Sequence, residues 1–446
     1  MRAMIRGLFA FVLRVFFQRV ETVGLENVPT TGPVMVVPNH PNGLVDPICI
    51  LCLAPRPAAF LAKEPIFRMP VLGWLARTLD AIPVYRRQDE GADLAKNRET
   101  FARARAVLMR GGMVTIFPEG ASHSDPKLRP LKTGAARIAL GAAGSGEGLA
   151  EPLRIVPAGL YYTAKGRFRS AVLLHFGEPI VVEPVPLGPN DEPPAAAVRA
   201  LTAQIEATLA VRTLQADHHE ALALAARAES VLTSTDPGDE GTLLLRQLDF
   251  RQRCLKGYAV LRARDPARLE RVERQLRAYE AKLGFAGVAA ARIAVENFTL
   301  ANVLRYTLKR FGLALLLTPL AAVGIVIHYP AYRATGAIAT RLAKGDDDVV
   351  STIKMLAAML LFPLSWILLA LVVGLWQGTT AALASLCLAP VAGYVALRFS
   401  EGLEGFIGAA RALLLFTSRR RAFLRLVAER TALRDQLVSL ARELEL

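Results

Sequence analysis

The chain has 446 residues, 53% of them hydrophobic, and a mean hydropathy of +0.33, so it has room for a sizeable core and is more apolar than an ordinary soluble protein. A formal charge of +15 calls for an anionic partner. No RNA- or DNA-reading motif is visible, and the apolar excess favours a membrane surface over nucleic acid.

The amino end, residues 1–20, is apolar with Arg2, Arg6, Arg14 and Arg19 scattered through it. A signal peptide would want an uncharged centre and a cleavage site, and the arginines also make a poor span. The stretch reads as a basic helix lying in a membrane interface; the alternative is an ordinary first helix packed on the domain that follows. Glu21 to Val28 reads as a short strand and turn.

The apolar run from Pro33 to Pro38 reads as a buried strand, and Asn39-His40-Pro41-Asn42-Gly43-Leu44-Val45-Asp46-Pro47 as the turn at its exit. His40 and Asp46 are placed on one short loop, with five residues between them. A carboxylate at that spacing can hold the imidazole tautomer and stabilise its protonated form, so that the ring takes a proton from an alcohol. The bland alternative is a histidine that caps a turn. Beyond it, Ile48 to Leu53 begins a buried helix, and Cys49-Ile-Leu-Cys52 lies in that apolar run with no second pair or histidine cluster. These read as buried thiols, not as a zinc or redox site.

Further along, Val71 to Leu79 reads as a helix and Ala81 to Tyr85 as a strand ending at Arg86-Arg87. A guanidinium fork such as that of Arg86 matches a phosphate bidentately. Asn97 to Arg110 is a helix closed by Gly111-Gly112, and Val114 to Phe117 a strand ended by Pro118-Glu119-Gly120. If the strands are parallel, as their alternation with helices suggests, Glu119 shares a sheet edge with His40. Pro130-Leu-Lys132-Thr-Gly134 opens the helix Ala135 to Leu140, whose backbone amides and Lys132 together suit a phosphate. Ser122-His123 precedes it, with His123 a possible second ligand or a simple loop histidine. Gly141 to Gly148 reads as a connection, Ile155 to Tyr162 and Val172 to Phe176 as strands, Pro184 to Pro194 as a linker, and Ala195 to Thr213 as a closing helix.

The ordered blocks around His40 and Asp46, Ile82-Pro-Val-Tyr-Arg86, Phe117-Pro-Glu-Gly120 and Ile155-Val-Pro157-Ala resemble the glycerolipid acyltransferases, over roughly residues 20–215. The resemblance implies an α/β domain with a mostly parallel sheet flanked by helices, and transfer of a fatty acyl group to glycerol 3-phosphate or a lysophospholipid. It implies His40 and Asp46 as the catalytic pair, Arg86, Glu119, Gly120 and Lys132 as acceptor contacts, Lys63 facing the cleft, and Pro157 beside the acyl chain. Asp80 stands where the family usually has glycine. The five-residue gap between His40 and Asp46, and Ser122-His123 before Pro-Leu-Lys132, resemble the branch acting on glycerol 3-phosphate and dihydroxyacetone phosphate.

Residues 214–304 read as charged helices, with Asp265-Pro266 a cap and Leu269, Val272, Leu276, Tyr279 and Leu283 at helical spacing. The apolar runs Phe311 to His328, Met355 to Trp376 and Thr379 to Leu397 are candidate spans, the last two joined by a tight hairpin at Gln377-Gly378. Arg419-Arg420-Arg421 begins a basic carboxyl-terminal helix. With both flanks basic, an even number of crossings is favoured, and three candidates conflict with that.

The expected organisation is therefore an interfacial helix (1–20), an acyltransferase domain (21–213), a helical region (214–304), membrane-embedded helices (305–400) and a basic helix (401–446), with an all-α second half that includes transmembrane helices. The expected activity is acyl transfer from acyl-CoA or acyl-ACP to the sn-1 hydroxyl of glycerol 3-phosphate, with no metal or bound cofactor and with anionic lipids as partners. The expected location is the cytoplasmic face of a bacterial inner membrane or endoplasmic reticulum. The alternatives are a lysophosphatidate or other lysophospholipid acceptor, and a non-catalytic lipid-binding scaffold.

Overall fold

The computed structural model describes residues 1–86, 94–145, 149–232, 243–286 and 300–445. Arg87, the end of the glycine-rich connection (146–148) and parts of the expected helical region (233–242 and 287–299) lie outside them. The chain divides into two units. The first comprises Met1–Asp217, Leu244–Leu248 and Ala343–Met355, and the second His218–Leu243, Asp249–Leu342 and Leu356–Leu446.

In the first unit α1 (Arg2–Phe16) leads to β1 (Arg19–Val23), β2 (Val34–Pro38), α2 (Val45–Leu53), β3 (Ala58–Lys63), α3 (Glu64–Arg68), α4 (Pro70–Thr78) and β4 (Ile82–Val84). Then come α5 (Asn97–Met109), β5 (Met113–Thr115), α6 (Gly134–Ala143), β6 (Arg154–Tyr162), β7 (Ala171–Phe176), β8 (Ile180–Val181) and α7 (Ala195–Ala210). The strands form one sheet in the order β1-β7-β6-β2-β5-β3-β4, with β8 also on β6. All pairs are parallel except β6–β7 and β6–β8, so the sheet is mixed with a parallel heart. Central β2 is buried along its whole length, which is why its sequence runs apolar without alternation. Met35, Val37, Val114 and Ile155 of the sheet pack against Ala104 and Leu108 of α5, Ile138 and Ala139 of α6, and Leu201 and Ile205 of α7.

Two local features correct the sequence reading. Asp46 stands in the first turn of α2, which starts at Val45 and not at Ile48. Pro47 is tolerated there because the first amides of a helix have no intrahelical acceptor to lose. Asp80 adopts φ +53°, a left-handed conformation that glycine takes without cost, which accounts for the family's preference; here the aspartate side chain ion-pairs with Arg2. The amino-terminal helix buries Ile5, Phe9, Leu13 and Phe16 against its unit and leaves Met4, Leu8 and Phe11 exposed.

The second unit is helical. α8 (His219–Leu232), the later turns of α9 (Leu243–Arg264), α10 (Pro266–Ala286) and α14 (Arg420–Glu443) share one apolar cluster. In it Leu269, Val272, Leu276, Tyr279 and Leu283 of α10 meet Phe423, Leu426, Leu433 and Leu440 of α14. Asp265 caps α10 through the Arg268 amide at 2.9 Å.

Between them run α11 (Leu300–Ala343), α12 (Asp347–Gln377) and α13 (Thr379–Ser418). Glycine at 378 with φ +86° makes the expected tight turn. Among the described residues two helical stretches are long and apolar enough to cross a membrane, Asp347–Gln377 and Thr379–Leu403. Pro319 and Pro330 both lie inside the continuous α11. His328 of that helix is satisfied on both ring nitrogens: Nδ1 donates to the Gly324 carbonyl at 2.7 Å, and Nε2 accepts from Trp366 Nε1 at 2.8 Å. Gly393 of α13 has no room for a side chain, since a β-carbon there would stand 2.6 Å from the His328 ring. Small residues at that crossing let the backbones approach, as in membrane helix pairs.

Candidate active site

Parallel pairing brings the carboxyl ends of β2, β3, β4, β5 and β6 to one edge. His40, Arg86 and Glu119 follow the ends of β2, β4 and β5, while Lys63 closes β3 and Tyr162 closes β6. In open α/β sheets, ligand-binding crevices form at such edges.

His40 Nδ1 lies 2.8 Å from Asp46 Oδ2. That carboxylate is fully buried and is held by two further donors, the Asn42 amide on Oδ2 at 2.6 Å and the Tyr162 hydroxyl on Oδ1 at 2.6 Å. A buried charge needs such partners. With Nδ1–H committed to Asp46, Nε2 is the nitrogen left to accept a proton. The imidazole stacks on Phe117, centroids 4.1 Å apart. Asn39 ties the strand exit down by a reciprocal pair of hydrogen bonds with Leu160, at 3.1 and 2.7 Å.

Glu119 is 4% exposed and turns inward. Oε1 accepts the His40 backbone amide at 2.7 Å; Oε2 accepts the Arg129 amide at 3.0 Å and the His123 Nε2–H. The Asp125 amide donates to His123 Nδ1 at 3.2 Å, which sets that tautomer. His123 in turn donates its backbone N–H to the His40 carbonyl at 3.1 Å. Glu119, expected as an acceptor contact, and His123, read as either a second ligand or a loop histidine, here frame the His40 main chain.

Arg86 Nη1 donates to the Gly120 carbonyl at 2.9 Å. Gly120 has φ +77°, and the exposed Lys132 runs its stem past it, 3.4 Å from where a β-carbon would stand. Two cationic side chains therefore meet at the loop after Glu119. Lys63 ends β3 exposed to solvent, and Pro157 is buried in β6 opposite Val37.

Sequence reasoning missed Tyr162 and Lys165. Tyr162 was readable as the last residue of a strand beside the His40 strand. Lys165 Nζ donates to the His123 carbonyl at 3.3 Å; burial lowers its pKa, while Asp46 and Asp348 oppose that shift. Cys49 and Cys52 are free thiols. Burial pushes both up, Cys52 to about 11, so they stay protonated at neutral pH.

Burial first, and the Asp46 charge second, hold the Tyr162 hydroxyl well above the ordinary tyrosine value of 10.0. The stability this carries is present below pH 10 and is lost as pH rises, because the unfolded chain ionises first. Tyr162→Phe is expected to lower unfolding free energy at pH 8 by about 1.5–3 kcal/mol, the size of a hydrogen bond to a charged group. The gap to wild type should narrow above pH 10 in denaturant titrations. A gap constant to pH 11 would mean the hydroxyl is not confined beside Asp46.

Against known proteins, the family model described as Acyltransferase matches residues 19–161, and the one described as Glycerol-3-phosphate acyltransferase 2 C-terminal domain matches residues 240–445. The two matches fall on the two halves of the chain, and both descriptions are of acyltransferases. Glycerol-3-phosphate O-acyltransferase 2 of Saccharomyces cerevisiae is 28% identical over 62% of this chain and 38% of its own length. Glycerol-3-phosphate O-acyltransferase 1 of the same yeast is 26% identical over 80% of this chain and 59% of its own. The chain thus spans less than two thirds of the length of either of these relatives. The crystal structure of the 1-acyl-sn-glycerophosphate acyltransferase of Thermotoga maritima is similar at 22% identity and a TM-score of 0.33, covering 47% of this chain and 80% of that one.

Proposed function

We propose that the chain moves a fatty acyl group from acyl-CoA or acyl-ACP to the sn-1 hydroxyl of glycerol 3-phosphate at a membrane surface, without a metal or bound cofactor. The observation that carries this reading is the line Tyr162–Asp46–His40, which commits Nδ1 to Asp46 and leaves Nε2 to take a proton, on the sheet edge that also bears Arg86. In the proposed reaction His40 Nε2 takes the acceptor's hydroxyl proton as the oxygen attacks the thioester carbonyl. The C–S bond breaks, and the imidazolium returns that proton to the leaving thiolate. Asp46, fixed by three donors, stabilises the imidazolium in between. Cys49 stays a thiol behind Asp46, in keeping with direct transfer. The guanidinium of Arg86 and the ammonium of Lys132 suit the acceptor phosphate. The names of the two yeast relatives favour glycerol 3-phosphate as that acceptor.

The test is transfer from labelled acyl-CoA, and separately from acyl-ACP, by the full chain in bilayers. Glycerol 3-phosphate, dihydroxyacetone phosphate and lysophosphatidate serve as acceptors. Product from the first with either donor, and a raised KM for it in Arg86→Ala, supports the reading. Product from lysophosphatidate alone would overturn the acceptor. No product at all would favour a lipid-binding scaffold.

The membrane assignment rests on α12, whose large apolar side chains from Leu360 to Trp376 stand exposed, a surface that water does not tolerate as a contiguous patch. Exposed Cys387 of α13 reports on it. In vesicles a membrane-impermeant thiol reagent is expected to leave Cys387 unlabelled, and to label it after detergent denaturation. Rapid labelling in sealed vesicles would place that helix in water.

A further inference from the structure

The first turns of α12, through Met355, belong to the first unit. Asp348, Ser351, Thr352 and Met355 recur at helical spacing and so share one face; Ser351 and Met355 on it are fully buried. The Leu44 amide, at the N-cap of α2, donates to Thr352 Oγ1 at 2.9 Å. Gly43 (φ +41°) lies so close that a β-carbon would stand 2.9 Å from both Thr352 Oγ1 and the Asp348 carbonyl. Ser122, the neighbour of His123, hydrogen-bonds Asp348 Oδ2. Beyond Tyr162, the Lys165 carbonyl accepts from Ser351, and the Gly166 carbonyl from Lys354 Nζ at 2.6 Å.

One helical face therefore gathers three loops: that between His40 and Asp46, that carrying His123, and that following Tyr162. None of the bonding α12 side chains, Asp348, Ser351, Thr352 and Lys354, replaces a catalytic group. Each takes up a backbone or hydroxyl group of a loop that would otherwise be free to move. We propose that Thr352 and Asp348 are positioning residues for acyl transfer, fixing the His40–Asp46 turn through Leu44 and the His123 loop through Ser122. The inference rests on the reading of His40 as the general base, and a small displacement of such a base is costly in rate.

The experiment uses the full chain in bilayers, with Thr352→Val and Thr352→Ser. The valine keeps the shape and removes the acceptor; the serine restores it. Thr352→Val is expected to lower kcat about tenfold with KM for both substrates unchanged, and Thr352→Ser to return the wild-type rate. Hydrogen exchange of residues 42–46 should quicken in Thr352→Val alone. An active wild type matched in kcat by Thr352→Val, or a serine variant as slow as the valine one, would overturn the proposal. If the wild type transfers no acyl group, the failure is that of the proposed function, and exchange at 42–46 still decides: an unchanged rate there in Thr352→Val would overturn the anchoring.

Discussion

Replacing His40 with alanine is expected to lower kcat by about 10²–10⁴-fold, the usual contribution of a positioned general base, while the protein stays folded. Asp46 keeps the Asn42 amide and the Tyr162 hydroxyl when the imidazole is gone, so the buried carboxylate is not stranded. The ring is 17% exposed, and its removal opens no sealed cavity. Loss should fall on kcat with little change in KM, since the imidazole acts on a proton in flight and contributes little to ground-state binding. Initial rates with labelled acyl-CoA and a melting curve on the same preparation check it. A His40→Ala enzyme that retains the wild-type rate would remove the general base from the mechanism.

Substitution of Glu119 is expected to damage both stability and rate. Its two oxygens face three N–H donors: His40 main chain on one side, His123 and Arg129 on the other. A glutamine in its place must turn its NH2 toward one side or the other, so at least one buried donor meets another donor whichever way the amide lies. An unsatisfied buried group costs about 1–3 kcal/mol, which sets the expectation for Glu119→Gln in denaturant unfolding. Glu119→Ala strands all three donors and should cost more, on the order of 3–5 kcal/mol if the penalty matches that of a broken buried pair. Because the same carboxylate sets the His40 backbone, the glutamine variant should also lose about 10²-fold in kcat through misplacement of the imidazole. A Glu119→Gln protein with wild-type stability would mean this carboxylate is not the frame of the loop.

The fold was legible where chemistry is local. The period of Leu269, Val272, Leu276, Tyr279 and Leu283 named the buried face of α10 residue by residue, and Asp265-Pro266 gave its start. The all-apolar run of β2 announced a central strand, and four ordered blocks placed His40, Arg86 and Glu119 at one edge. Asp46 was assigned to a loop because Pro47 reads as a breaker, although proline is at home in a first turn. The misread elements are those decided at a distance. Nothing near Glu119 in sequence says that its oxygens are taken by a histidine amide 79 positions away. Tyr162 and Asp46 are separated by 116 positions. The sequence reading began this span at Met355 and passed over Asp348-x-x-Ser351-Thr352; only tertiary pairing gives that polar face a role.

The contact between Leu44 and Thr352 also orders events in time. The two residues are 308 positions apart, and ribosomes extend chains at about 5–20 residues per second. The strand that carries His40 thus leaves the ribosome roughly 15–60 s before the helix that anchors its turn. Until then the N-cap amide of α2 has water as its partner, and closing so long a loop is the slow kind of step. A nascent chain of this protein would hold its sheet, its histidine and its aspartate well before it could hold them still.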